Sequence, residues 1–299
     1  ATTEVNEHTP AVLSAAISGY VFGGGYGEST HVTGTSTINI GERSGSEGSY
    51  VYTDHGASFQ STSNIYGGSA LGTVATTQVN LYVGTIAANV FGGGKGRLAV
   101  GEPETEGYVA AQGATISTKA TVNLCDATVT GNIYGGCNDM GTTAEAELNL
   151  LGGSVGTSGV GDMVFGGGKG HATTTNTATV NVGSQTTTGE PPVTTYTGTS
   201  SIYSNVYGGS ALGAVGTAIV NLNHVTTLTG HVFGGGMGEG TSDDTKATIT
   251  TSATVNQNGI TLAADKDIYG GCNINGTAAA TYVYVLGGTV NDVFGGGLG

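Results

Sequence analysis

The sequence predicts an all-β chain: a parallel β-solenoid, or β-helix, built from stacked units punctuated by glycine and an aromatic. Three observations carry the expectation. A short phrase of a β-branched residue, an aromatic and a glycine run recurs along the whole chain. A second motif of alternating apolar and polar residues precedes each copy, with the period of two that a half-buried strand requires. Helical periodicity with capping residues occurs nowhere.

The punctuating phrase reads VFGGG at Phe22, NIYGGS at Tyr66, NVFGGG at Phe91, NIYGGC at Tyr134, VFGGG at Phe165, NVYGGS at Tyr207, HVFGGG at Phe233, DIYGGC at Tyr269 and DVFGGG at Phe294. Phe and Tyr alternate strictly, so repetition comes before any other property of the chain. The upstream strand motif reads TSTINI at Asn39, TTQVNL at Asn80, ATVNL at Asn123, AELNL at Asn149, ATVNV at Asn181, AIVNL at Asn221 and SATVNQ at Asn256, with YVYVL at Tyr284 as the departure. A unit this small cannot bury its own apolar face, and stacking copies along an axis solves that for all of them. Identical residues then line up in columns. Neighbours in a strand point to opposite faces, so Val/Ile is expected inward, with the aromatic keeping its hydroxyl near water. The glycines are expected to supply positive φ and close backbone approach at a repeated corner.

Long units run from Phe to Tyr and short ones from Tyr to Phe, so the module is a pair of about 68 residues. Residues 1–299 are expected to form one elongated array of four double modules, 22–90, 91–164, 165–232 and 233–293, with partial repeats at both ends. SNIYGGSALGTV at Ser63 returns as SNVYGGSALGAV at Ser204, and the GGCN copies at Cys137 and Cys272 alternate with it, which defines a super-repeat of two double modules. Whether one unit or a pair completes a turn stays open at this stage. ATTEVN at the start matches ATTQVN of residues 75–80, and VFGGGLG closes the chain. With no distinct cap at either end, the expectation is a window from a longer array, continued end to end by the same chain or by self-association.

The extra residues of the long units hold most of the acids: Glu42, Glu47 and Asp54; Glu102, Glu104 and Glu106; Glu190 beside Pro191 and Pro192; Asp243 and Asp244. They predict loops protruding from one side of the array, the usual place for a binding face. The net charge is −14 with seven Lys and Arg. Nucleic acid requires a basic stripe that is missing here. No apolar run reaches the length of a membrane span, so direct insertion by a helix is not expected. Cys125, Cys137 and Cys272 are too few for a disulfide framework and form no zinc pair, which leaves them as small buried residues.

Motifs that suggest chemistry fail on the next residue. GGGKG at Lys95 and Lys169 lacks the Ser or Thr of a phosphate loop, since Gly96 and Gly170 follow. GGxG lacks the Asp of a calcium roll: Glu28 and Ser29 follow one copy, Glu239 and Gly240 another. The acidic loops could bind calcium weakly, but no cofactor or metal residue is assigned. Asp126, Asp139, Asp162 and Asp292 share no register, and the six His at positions 8, 31, 55, 171, 224 and 231 are dispersed. No catalytic residue is assigned, and the chain is expected not to be an enzyme. A β-helix enzyme acting on polysaccharide would need carboxylates converging in one groove. An ice- or glycan-binding module is the stronger alternative, favoured by abundant Thr and opposed by units of unequal length. Asn275-Gly276-Thr277 is the one N-glycosylation sequon.

The glycine- and aromatic-punctuated units resemble the repeat surface proteins and autotransporter-passenger-like adhesins of bacteria. The likeness is architectural and spans the whole chain. It implies secretion, a β-solenoid stalk at the cell surface, and adhesion to partners such as surface glycans.

Overall fold

Alternating Val-Asn-Leu segments and glycine corners give one dominant pattern in the computed structural model: parallel strands stacked in chain order. The structure describes residues 3–7, 16–46 and 49–299, and for residues 3–7 and Asp244 the backbone alone. Ala1, Thr2, His8 and Glu47 therefore lie outside the described residues or side chains. Among the described residues the chain is all-β apart from one short 3-10 turn at Asp243–Thr245.

Each unit, named here by its aromatic, supplies a long strand and a two-residue aromatic strand. The long strands form one parallel sheet of ten strands, and the aromatic strands another of nine. In the long sheet, His31–Ile40, Thr73–Leu81, Ala114–Leu124, Met140–Leu150, Ala172–Val182, Ala214–Leu222 and Ala247–Thr261 follow one another in chain order. Their register pairs Asn39 with Asn80, then Asn123, Asn149, Asn181, Asn221 and Asn256, and Tyr284 takes the next place. Long and short units alike thus contribute to the long sheet in chain order. A third parallel sheet of short strands runs from Thr85–Ile86 to Thr227–Leu228.

The core sits where the three sheets face each other. Val79 and Leu81 from the long strand, Ile86 from the short strand and Val90 from the aromatic strand are all fully buried. Equivalent residues of other units, such as Val220, Leu222, Leu228 and Val232, continue the same cluster. Burying a side chain of this size contributes about 1.5–3 kcal/mol, and the column repeats it at every unit. Val/Ile of the aromatic strand points inward, as the alternation requires.

The aromatics point the other way yet are buried as well. Tyr66, Phe91, Phe165, Tyr207 and Phe233 are at most 1% exposed, in a second cluster covered by Ala211, Met163 and Met237. From Phe22 to Phe294 successive rings stack at 4.7–5.0 Å with interplanar angles of 5–13°. The expectation of hydroxyls near water is corrected for Tyr66 and Tyr207, whose hydroxyls meet amides. Asn64 and Asn138 donate to the Tyr66 oxygen at 3.2 and 3.1 Å, and Asn205 and Asn273 to that of Tyr207 at 2.9 and 2.8 Å. Asn138 and Asn273 belong to the GGCN copies, and each reaches a tyrosine two units earlier. The alternation of GGS and GGC units has its physical content in this reach.

The glycine corner is also corrected in part. No glycine of the nine GG runs has positive φ; Gly96 and Gly170, after the lysines, do. What the runs need is room. A Cβ on Gly92 would lie 2.5 Å from the Gly135 carbonyl oxygen, and the same contact recurs at 2.2–2.5 Å from Gly67 to Gly270. At the next position a Cβ on Gly93 would meet the Cys137 sulfur at 2.7 Å, and one on Gly24 the Ser69 hydroxyl at 2.3 Å. The third glycine, which alone distinguishes GGG from GGS or GGC, is fixed by the preceding Tyr unit: a Cβ on Gly94 would lie 2.3 Å from the Ser69 carbonyl oxygen, and one on Gly168 2.4 Å from that of Cys137.

Candidate functional site

Among the described residues no large converging set of reactive groups stands out, so the surfaces that the columns create are the candidates. The outer side of the long sheet carries the asparagine column. Each amide donates to the Oδ1 of the asparagine one unit earlier, from Asn80 to Asn39 through Asn256 to Asn221, at 2.8–3.0 Å. This ladder uses one N–H and one lone pair per amide. A second ladder lies before the aromatic strands: Asn64 Oδ1 accepts from the Asn89 backbone at 3.2 Å, Asn89 from Asn132 at 2.9 Å, and Asn132 from Met163 at 2.7 Å.

Beside the asparagines run columns of hydroxyls. Thr35, Thr76, Thr177, Thr217 and Ser252 share one column, and Thr37, Thr121, Thr179 and Thr254 another. Register survives the unequal units because their extra residues leave at the corners, which removes the objection raised from unit length. A different feature interrupts the hydroxyls. Lys119 and Glu145 stand in the first column, Gln78, Glu147 and Ile219 in the second, and Lys119 pairs with Glu147.

The acidic loops do not leave from one side, contrary to expectation. The hairpins Glu42–Ser44 with Val51–Thr53 and Ser184–Thr188 with Val193–Thr197 follow the long strands of the Tyr66 and Tyr207 units. Residues 97–112 and 239–246, which hold Glu102, Glu104, Glu106 and Asp243, precede the long strands of the Tyr134 and Tyr269 units. The long sheet is thus bordered on both edges, with equivalent loops four units apart.

The two hairpins occupy equivalent corners and end differently. Gly41 and Gly183 start them with φ of 75° and 74°. In the first, Tyr52 stacks on Tyr82 at 6.0 Å, and the Arg43 guanidinium lies 4.5 Å from the Tyr50 ring centre and 5.1 Å from that of Tyr82. Burial, with Cys125 beside it, pushes the Tyr52 phenol up to about 12. This aromatic stack stands at the end of the strand that carries Asn80, which is 4% exposed and whose Oδ1 also accepts from the Gln78 amide at 3.1 Å. In the second, Gln185 replaces Arg43 and Asn223 replaces Tyr82. An open groove of about 300 Å3 remains, lined by Asn149, Leu151, Asn181, Gln185, Asn221 and Asn223 among others. No lining residue is charged.

The titratable residues singled out by sequence are scattered. Asp139 pairs with Lys95 at 2.9 Å, His55 with Glu42 at 3.2 Å, and Arg97 with Glu28 at 2.7 Å. Asp162 is held above the usual carboxylate range by burial. Among the described residues, His231, Asp267 and Asp292 also come together. Asp267 lies 3.5 Å from the His231 ring and accepts from the Asp292 backbone at 3.1 Å. Its carboxyl is held below the usual range, first by the Asn291 amide at 2.9 Å. Among the described residues no cluster of His, Cys, Asp and Glu could hold a metal ion. All three cysteines are free and buried, and burial pushes their thiols up. The Asn275 amide of the sequon donates to the Ser242 carbonyl at 2.8 Å. No described helix is long and apolar enough to cross a membrane.

No protein-family model, no curated protein and no solved structure matches the chain. The class defined by this architecture is therefore an all-β repeat array with ordered amide and hydroxyl columns.

Proposed function

We propose that the chain is a parallel β-solenoid, one unit per turn, that serves as a structural and adhesive segment of an extracellular fibre. The supporting observation is the unbroken set of columns. Aromatic rings, asparagine amides and Val/Ile all keep register through units whose lengths differ widely. An array of this kind gains length one unit at a time without changing its cross-section. Axial continuation or end-to-end self-association is the partner interaction in this reading, because a constant cross-section accepts a further unit of the same kind at every step. Secretion and a place at the cell surface follow from the resemblance to adhesins, and the chain has no catalytic role or resident cofactor in this reading.

X-ray diffraction from oriented native material tests it. A meridional reflection at about 4.8 Å is expected, from one strand spacing per unit, with a superperiod of about 19 Å from the four-unit super-repeat. Discrete short particles in electron micrographs of native material would overturn the proposal.

A further inference from the structure

We propose that the open groove beside the second hairpin binds a neutral, hydroxyl-rich polysaccharide lying along the stacking axis. This adds a ligand to the array and does not rest on axial extension. Asn149, Asn181 and Asn221 stand one unit apart, at the strand spacing of about 4.8 Å. That distance is slightly shorter than the advance per hexose in an extended chain, so over the three units of the groove neighbouring rings would meet neighbouring amides. The ladder bonds fix the orientation of every amide while leaving Asn181 and Asn221 a second N–H and a second lone pair each. A sugar hydroxyl, at once donor and acceptor, answers both. Asn223 is held by its own bonds to the Gly183 carbonyl at 3.3 Å and from Asn258 at 2.8 Å, so it forms a fixed side wall. Gln185 on the hairpin supplies an adjustable amide opposite. Leu151, 37% exposed in the groove, offers an apolar spot for the C–H side of a ring.

Charge argues for a neutral chain. The groove holds no cation, and the protein carries a net charge of −14. A polyanionic glycan would be repelled without a compensating contact. The first hairpin supplies a comparison within the molecule. There Arg43 and Tyr82 stand in the places of Gln185 and Asn223, and they stack with Tyr50 and Tyr52.

The experiment is calorimetric titration of the full chain with neutral hexasaccharides (β-1,4-glucan, β-1,3-glucan and β-1,4-mannan) and with an oligogalacturonate of equal length. At least one neutral chain is expected to bind, with the oligogalacturonate at least about tenfold weaker. Q185A/N223A should weaken binding about tenfold, the effect of two lost neutral hydrogen bonds. Q185R/N223Y, which copies the residues of the first hairpin, should abolish it. Hydrogen exchange on the unaltered chain should show saccharide-dependent protection at Gly183–Gln185 and Asn223, a readout that needs no variant to fold. The proposal is overturned if none of the neutral chains binds, if the oligogalacturonate binds as well as they do, if both variants bind like the parent chain, or if protection maps elsewhere. Ice-growth inhibition without saccharide binding would also overturn it, assigning the face to ordered water instead.

Discussion

Gly92→Ala isolates the close approach on which the stacking depends. The new Cβ would sit 2.5 Å from the Gly135 carbonyl oxygen and 3.2 Å from the Ala120 Cβ. Ordinary C···O contacts begin at about 3.3 Å, so the backbone must yield by most of an ångström. It is held on both sides: Gly92 N–H donates to the Tyr134 carbonyl at 2.9 Å, and Gly135 N–H to that of Phe165 at 3.0 Å. Overpacking of this kind costs about 1–3 kcal/mol. Lengthening the Gly92 bond and the Thr77 hydroxyl bond to the Gly92 carbonyl, 2.6 Å in the parent, adds about 1 kcal/mol. The reduced freedom of the unfolded chain returns about 0.4–1 kcal/mol. The net expectation is a destabilisation of about 2–3 kcal/mol. Gly19 is the control, since its φ is not positive and a Cβ there has no atom within 4 Å. Gly19→Ala should be neutral or slightly stabilising. Urea denaturation followed by circular dichroism reads both variants, with hydrogen exchange at Gly92 and Gly135 because repeat arrays can unfold in parts. Equal midpoints for the two variants, within about 0.5 kcal/mol, would refute the argument that backbone proximity dictates glycine.

Tyr66→Phe removes the acceptor of both the Asn64 and Asn138 amides and should cost about 1–3 kcal/mol. Asn138→Ala should add little on top of it, and fully additive costs in the double-variant cycle would sink the clamp between units. Burial pushes the Tyr66 phenol up to about 12, against the pull of the two amides. Its folded value exceeds the unfolded one, near 10, so its contribution to stability is intact below pH about 10 and is lost as pH rises through the folded value; a phenolate absorbance titration with Tyr66→Phe as reference should assign one late-ionising tyrosine to this site. Asp267 behaves oppositely: its folded value is lowered chiefly by the Asn291 amide, so the stability it supplies is present above the usual carboxylate range and lost as pH falls through the folded value. Asp267→Asn places the residue of Asn64, Asn89, Asn132 and Asn205 at this position and should reduce the acid sensitivity of the melting temperature; an unchanged pH profile would count against it. Cys137, 1% exposed, should resist a thiol reagent until the chain is unfolded, and Cys137→Ser should cost less than about 1.5 kcal/mol, since Ser69 and Ser210 already fill equivalent places.

The repeat is legible in sequence because stacking forces chemically equivalent positions to solve the same packing problem. Val90 and Phe91 could be assigned to opposite sides of one strand from the period of two alone. That Phe91 is nevertheless buried could not, because its cover comes from loop residues of other units. The acidic loops could be recognised by length and composition, but their corner depends on where each insertion falls within the turn. The candidate groove was the least legible part. Gln185 and Asn223 are ordinary polar residues in sequence, and their significance appears only when Arg43 and Tyr82 are found at the equivalent corner.

By itself the sequence determined an all-β repeat chain, the placing of Val/Ile and the aromatic on opposite sides of one strand, and the isolation of its cysteines, since all of these follow from local alternation and from composition. The tertiary structure alone decided why GGG must alternate with GGS or GGC, which amides hold the tyrosine hydroxyls, and where the groove lies. Each of those depends on a distance between units tens of residues apart, and a carbonyl 2.5 Å from an absent Cβ leaves in the sequence only a glycine, without its reason.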